Sequence, residues 1–221
     1  MKIIKTYLFL FLIFSCSNKS QIVEFENILG KKNSETLTLM VSDFENGYLK
    51  NKYPNLSSEK AYAKLLLDMR DSKAQSWGKL PEFEKTRFEE SQLKLEIYSY
   101  VDSVWIESIE SPRLFIQRKY LANDGTFHKG TSWSSFRPKD GENKDSIINN
   151  RYTWTDLNYS GRFWKALRET CQNDKFIMDY LYLADSAGPI QPEILISRIL
   201  ASNVDYSDYF IKRIIITGIS Y

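Results

Sequence analysis

The chain has 221 residues, with 30 Lys and Arg, 28 Asp and Glu and a single His, for a formal charge of +2. Lys2 and Lys5 stand among the first 15 residues, so from residue 16 onward 28 basic residues meet 28 acidic ones; this neutral balance offers no electrostatic footprint for a phosphate backbone. Nucleic acid is therefore excluded as an expected partner, adhesion to acidic lipid by charge alone is excluded with it, and one His excludes any site built on two or three His ligands.

The two lysines precede an unbroken apolar and aromatic run, Tyr7 to Phe14. A helix needs about 20 apolar residues to cross about 30 Å of hydrocarbon, and this run is much shorter. A basic start, a short apolar stretch and a small residue, Ser15, have the form of an export signal. Cys16 follows. The stretch Ile13 to Cys16, "IFSC", resembles the lipobox of bacterial lipoproteins, whose usual form is Leu, a small residue, Gly or Ala, then Cys; Phe14 is bulkier than the usual residue at its place. The resemblance covers the first 16 to 20 residues. It implies that residues 1–15 are a signal peptide that is removed and that the Cys16 thiol carries a diacylglycerol. Residues 16–34 are then the lipidated cysteine and a tether, and residues 35–221 one globular domain. The rival reading is a retained, uncleaved anchor. The leader and the Asn-, Lys- and Ile-rich style of the chain resemble lipoproteins of the Bacteroidota. "SNKSQ" after the cysteine lacks the acidic run such proteins carry when sent to the cell surface, so the resemblance implies a lipid anchor facing the periplasm. Lipid on Cys16 leaves only Cys171, hence no intramolecular disulfide, and Cys171 is expected as a small buried hydrophobe.

Within the tether, Gly30 and "KKNS" mark a break. From Glu35 the residues Leu37, Met40, Val41, Phe44, Tyr48 and Leu49 keep helical spacing, and Pro54 ends the pattern. Ser57 stands where an N-cap belongs, ahead of a helix carrying Ala61, Tyr62, Leu65, Leu66 and Met69. A third helix is predicted after Pro81, through Phe88, Leu95, Ile97 and Tyr98. "SVWIESIE" and "RLFIQRKYL" are rich in β-branched and aromatic residues, and Asp124-Gly125 is a turn signal between strand-like runs. A small antiparallel sheet is therefore predicted over residues 102–136, followed by a polar loop, "RPKDGENKDS". Helices are predicted from Arg162 to Thr170 behind Ser160, and from Asp174 to Ala187 with a Gly188-Pro189 stop. A further helix opens at Pro192 and runs to Leu200. "IKRIIIT" is β-branched and predicts a terminal strand added to the sheet. The fold class is α+β, predominantly helical with a small antiparallel sheet in the middle of the chain. Residues 187–217 are also similar to the C-terminal part of Bacteroidota proteins of unknown activity, which implies a shared fold and no chemistry.

Catalytic patterns are sparse. There is no C-x-x-C, no H-E-x-x-H, and no phosphate-cradling loop among nine scattered glycines. "GTSWS", Gly130 to Ser134, has Ser134 in place of the second glycine of a nucleophile elbow and no strand-then-helix context, and a Ser-His-Asp hydrolase would have to use His128 as its base. The carboxylate pairs Glu107 with Glu110, Glu89 with Glu90, and Asp205 with Asp208 suit acid–base hydrolysis only if folding brings them into one cleft. Asp140 to Asp145, "DGENKD", departs from the calcium-loop order. No cofactor, metal site or catalytic residue is expected. The one dense feature is aromatic: Trp133, Phe136, Tyr152, Trp154, Tyr159, Phe163 and Trp164, interleaved with Arg137, Arg151 and Arg162. Phe163, Trp164 and Leu167 keep helical spacing and belong to a core. Trp133 and Trp154 fit either a core or a recognition patch for a glycan or a protein partner.

The sequence thus predicts a membrane-anchored lipoprotein of the cell envelope, tethered through Cys16 and non-enzymatic, that works as a protein-interaction module. The alternatives are a glycan- or peptide-binding lipoprotein using Trp133 and Trp154, and a hydrolase using Asp/Glu chemistry.

Overall fold

The computed structural model describes residues 19–73, 88, 90–107, 112–135, 143–152, 155–188 and 190–219. The class is α+β and predominantly helical, with one four-stranded antiparallel sheet of order β3-β2-β1-β4.

Residues 19–29 form the first helix, α1. Ile22, Phe25 and Leu29 share one face at helical spacing, and Phe25 and Leu29 are fully buried. The expected tether over residues 16–34 is corrected here: the packed core begins well before residue 35, because an apolar stripe hidden among Glu24, Glu26 and Asn27 docks on the helical body. Gly30 is the expected break, with φ +90. The chain turns there into α2, Lys31–Asp43. After Asp43 the helix widens into a π-helical stretch, Phe44–Leu49. Residues five apart on an α-helix point about 140° away from each other. The wider turn brings Phe44 and Leu49 into the same core, both buried. Helix α3, Ser58–Arg70, buries Ala61, Tyr62, Leu65 and Leu66 as its spacing predicts.

The helix predicted after Pro81 falls largely outside the described residues. Its end is α4, Leu93–Ile97. Tyr98, expected in that helix, opens β1, Tyr98–Glu107. β2 is Arg113–Leu121, β3 Phe127–Ser135 and β4 Thr155–Leu157. The β2–β3 turn has Gly125 at φ +84, the Gly125 N–H donating to the Ala122 carbonyl at 2.9 Å and the Ala122 N–H to that of Thr126 at 2.8 Å. This is a three-residue hairpin loop whose last position requires a left-handed residue. The predicted polar loop closes earlier than expected: Asn143 accepts from the Asp145 N–H and caps α5, Lys144–Arg151.

Helix α6 is Arg162–Thr170, α7 Lys175–Ala187 and α8 Pro192–Ala201, each close to its predicted bounds. Asp174 caps α7 through the Ile177 N–H at 2.9 Å, and Phe163 and Trp164 lie in the core. The expected terminal strand is corrected: "IKRIIIT" lies in α9, Tyr209–Ile219, capped by Asp208, which accepts from Phe210 and Ile211. Residues from Phe210 to Ile219 are buried nearly all round the helix. Packing on every side overrides the strand preference of three consecutive isoleucines. Two fasteners hold the sheet on the helical body. Asn158 donates to the carbonyls of Leu95 and Leu121 at 2.8 and 2.7 Å, and the Tyr98 hydroxyl donates to the Thr217 carbonyl at 2.7 Å.

Candidate functional site

Alternation along each strand gives the sheet two unlike faces. On one, Val104, Leu114 and Ile116 form a small core of their own, against which Val101, Ile106 and Ile148 of α5 pack. On the other, the register places Trp105 opposite Phe115, and Phe115 opposite Trp133. Three aromatic residues thus stand in one row across three strands. Trp105 and Phe115 stack with centroids 5.2 Å apart and planes 7° from parallel. Trp133 is 56% exposed, and the Arg113 guanidinium lies 4.7 Å from its ring centroid. The Trp105 indole N–H donates to Glu107 at 3.2 Å.

Beside this row runs a polar one, Ser103, Gln117 and Thr131, and then Tyr100, Lys119 and Lys129. Lys119 lies over Phe127 at 4.4 Å and Lys94 over Tyr100 at 4.6 Å. Lys129 pairs with Asp102 at 2.6 Å. β2 and β3 together carry Arg113, Arg118, Lys119 and Lys129 and no carboxylate. All nine residues of β3 are exposed.

The inner half of the covered face holds a groove of about 520 Å³ lined by Ser99, Arg118, Tyr120, Ser132, Asp156 and Tyr159 among others. Arg118 pairs with Asp156 at 2.8 Å and donates to the Ser132 hydroxyl at 3.2 Å. Burial pushes the Asp156 carboxyl upward, and the Arg118 charge opposes that. No family model, no curated protein and no solved structure matches the chain. The reading of the site therefore rests on its own geometry.

Trp133 lies on the surface and not in the core. Trp154 and Cys16 fall outside the described residues, as do Phe136, Arg137, Glu89 and Glu110. His128 is exposed on β3 with its ring 5.8 Å from Tyr120. The Thr126 hydroxyl sits between Asp124 and the His128 ring, at 2.7 and 2.8 Å, so the hydroxyl and not the imidazole holds the middle place. Gly130 to Ser134 is open strand. Asp205 accepts from Ser207, and Asp208 caps α9. Among the described residues no group of three His, Cys, Asp or Glu side chains is placed to hold a metal ion, and no helix is long and apolar enough to cross a membrane. Cys171 is buried, which pushes its thiol up to about 12.

Sequence reasoning passed over Trp105, Phe115 and Arg113. The signal was present in "VWI" and "LFI", where an aromatic stands between two aliphatic residues. In a strand the middle residue faces away from its neighbours.

Proposed function

We propose that the protein is a non-enzymatic interaction module of the bacterial cell envelope, tethered by lipid on Cys16 on the periplasmic side, that holds a partner protein on the open face of its sheet. The observation that carries this reading is the row Trp105, Phe115 and Trp133 with Arg113 laid on Trp133. Trp, Tyr and Arg dominate the few residues that supply most of the binding energy at protein interfaces, and an exposed Trp braced by a cation is ordered before the partner arrives, which lowers the entropy lost on binding. The test is extraction of the full-length protein from its own membranes in gentle detergent. A reproducible partner should co-purify with the parent chain, and Trp133→Ala and Arg113→Ala should each weaken its binding at least tenfold. An extract holding the monomer alone would end the reading. The intact mass of the same material tests the tether, which requires residues 16–221 plus a diacylglyceryl group.

The groove favours a second reading, glycan binding. Tyr120 and Tyr159 offer ring faces, and Arg118, Asp156, Ser99 and Ser132 offer donors and acceptors suited to sugar hydroxyls. Calorimetric titration against a polysaccharide panel distinguishes the two, since no binding of any member would remove the glycan.

A further inference from the structure

We infer that β3 takes up an added strand, contributed by an acidic, extended segment of the partner; this rests on the proposed open-face interaction and names the chemistry of what it binds. The open face alone is small. Three strands about 4.8 Å apart and roughly 30 Å long present about 450 Å², against about 800 Å² that a stable interface takes from each partner. A partner seated on Trp133 must extend past the face, and the sheet ends at β3 on that side.

Among the described residues that edge is unpaired. There β3 pairs with β2 only, has no proline in "FHKGTSWSS", and exposes all nine residues. The hydrogen bond from the Ala122 N–H to the Thr126 carbonyl sets the phase of the ladder. Since bonded pairs alternate along antiparallel strands, the amides and carbonyls of Phe127, Lys129, Thr131, Trp133 and Ser135 point away from β2. These are the residues whose side chains lie on the open face. A strand laid along β3 would satisfy those outward groups and set every second side chain beside the aromatic row.

Charge selects the occupant. The cations Arg113, Lys119 and Lys129 stand on β2 and β3, which carry no carboxylate; on β1 Asp102 pairs with Lys129 and Glu107 lies opposite Arg113, so three cations face two carboxylates and the excess charge is positive. A second copy of β3 brings one more cation, Lys129, and no carboxylate, so it offers this face no opposite charge. A segment with Glu or Asp at alternate positions turns the same arrangement into attraction. On the opposite face the added strand meets His128, Gly130, Ser132 and Ser134, of which the last three are small enough to admit apolar residues.

The test uses the full chain in detergent and two blocked nine-residue peptides, one alternating Glu and Val, the other Lys and Val. Binding is read by titration and by amide hydrogen exchange. The acidic peptide should bind at least tenfold more tightly than the basic one and slow exchange at the outward amides named above. Thr131→Pro, which removes an outward N–H and leaves the β2 ladder intact, should abolish binding, and Thr131→Val should not. Where the proline disturbs the strand, Lys119→Glu with Arg113→Glu serves instead and should reverse the preference to the basic peptide. Equal binding of both peptides, no binding of either, or binding that survives both sets of changes would overturn the inference. The open-face reading stands or falls separately, on whether the native partner needs Trp133.

Discussion

Glu96 is the carboxylate on which the sheet's attachment to the helical body turns. It lies two residues before β1 and has no exposed surface, yet it accepts from the Arg162 backbone N–H at 2.9 Å, from Nε at 2.7 Å and from Nη2 of the same residue. One oxygen therefore caps the start of α6, where the Gly161 N-cap makes no side-chain bond, and the other holds the guanidinium. Removing one member of a buried ion pair costs about 3–5 kcal/mol. The Arg162 side chain is 29% exposed and regains water in part, so Glu96→Ala should lie at the low end, about 3 kcal/mol. Glu96→Gln keeps one acceptor but aims its NH2 at a donor, either the α6 amide or the guanidinium, and should lose about 2 kcal/mol, one charge-assisted bond. Urea denaturation with an unchanged slope is the assay. Adding Arg162→Met to Glu96→Gln should restore part of the loss, because no charge is then left orphaned. An Ala variant within about 1 kcal/mol of the parent, or a Gln variant as damaged as the Ala one, would refute the reasoning.

The Cys171 thiol, pushed up to about 12 by burial, should resist an aromatic disulfide reagent in the native protein and react only as urea unfolds it; rapid labelling of the folded chain would contradict its burial. An Ala at position 161 would drive its Cβ into the Glu96 backbone carbonyl, whereas one at 218 meets the movable end of Leu195. Gly161→Ala should therefore lower the melting temperature well beyond the effect of Gly218→Ala, which belongs with ordinary overpacking at about 1–3 kcal/mol. Asp185 accepts from both Arg168 nitrogens at 2.5 and 2.6 Å, which holds its carboxyl below the ordinary 3.8. A lowered folded value means stability that is present above the unfolded value and lost as pH falls through the folded one. Asp185→Asn should thus be the less stable variant at neutral pH and converge on the parent below the ordinary value; a gap independent of pH would show that the ion pair contributes nothing.

The elements legible in the sequence are those whose limits are set by neighbouring covalent chemistry. Asp174 caps α7 because a short carboxylate reaches the third amide of the helix. Pro192 opens α8 because its missing N–H is not needed there, and Gly125 ends a hairpin loop because the position is left-handed. The misreadings arise where distant packing decides. Residues 19–29 show only a thin apolar stripe, and their helix exists because Phe25 is sandwiched edge-on by Phe163, Tyr209 and Phe210, all remote in sequence. α9 is apolar on every side, and an all-round apolar run has no period to separate a buried helix from a buried strand. The π-helical turn at Phe44–Leu49 has no local signal of its own; a strict α period simply places Leu49 out of phase.

The site was half legible for a related reason. A tryptophan on a strand invites attention by type, so Trp133 was visible alone, but a row of rings is a property of register and not of composition. Phe115 and Trp133 each lie nine positions from Asp124, so a turn centred there puts them opposite each other. Asp124-Gly125 marks that turn in the sequence, and the pairing follows from it by symmetry. Trp105 requires the β1–β2 pairing as well, and its partner Phe115 belongs to the stretch of that pairing that lies past the irregularity between Val101 and Ser103. A slip of one residue in either pairing would send one ring to the covered face, against Val104 and Ile116. Two separate strand pairings must therefore agree before Trp105, Phe115 and Trp133 line up. That agreement, more than the exposure of any one ring, supports the proposal that this face holds a partner.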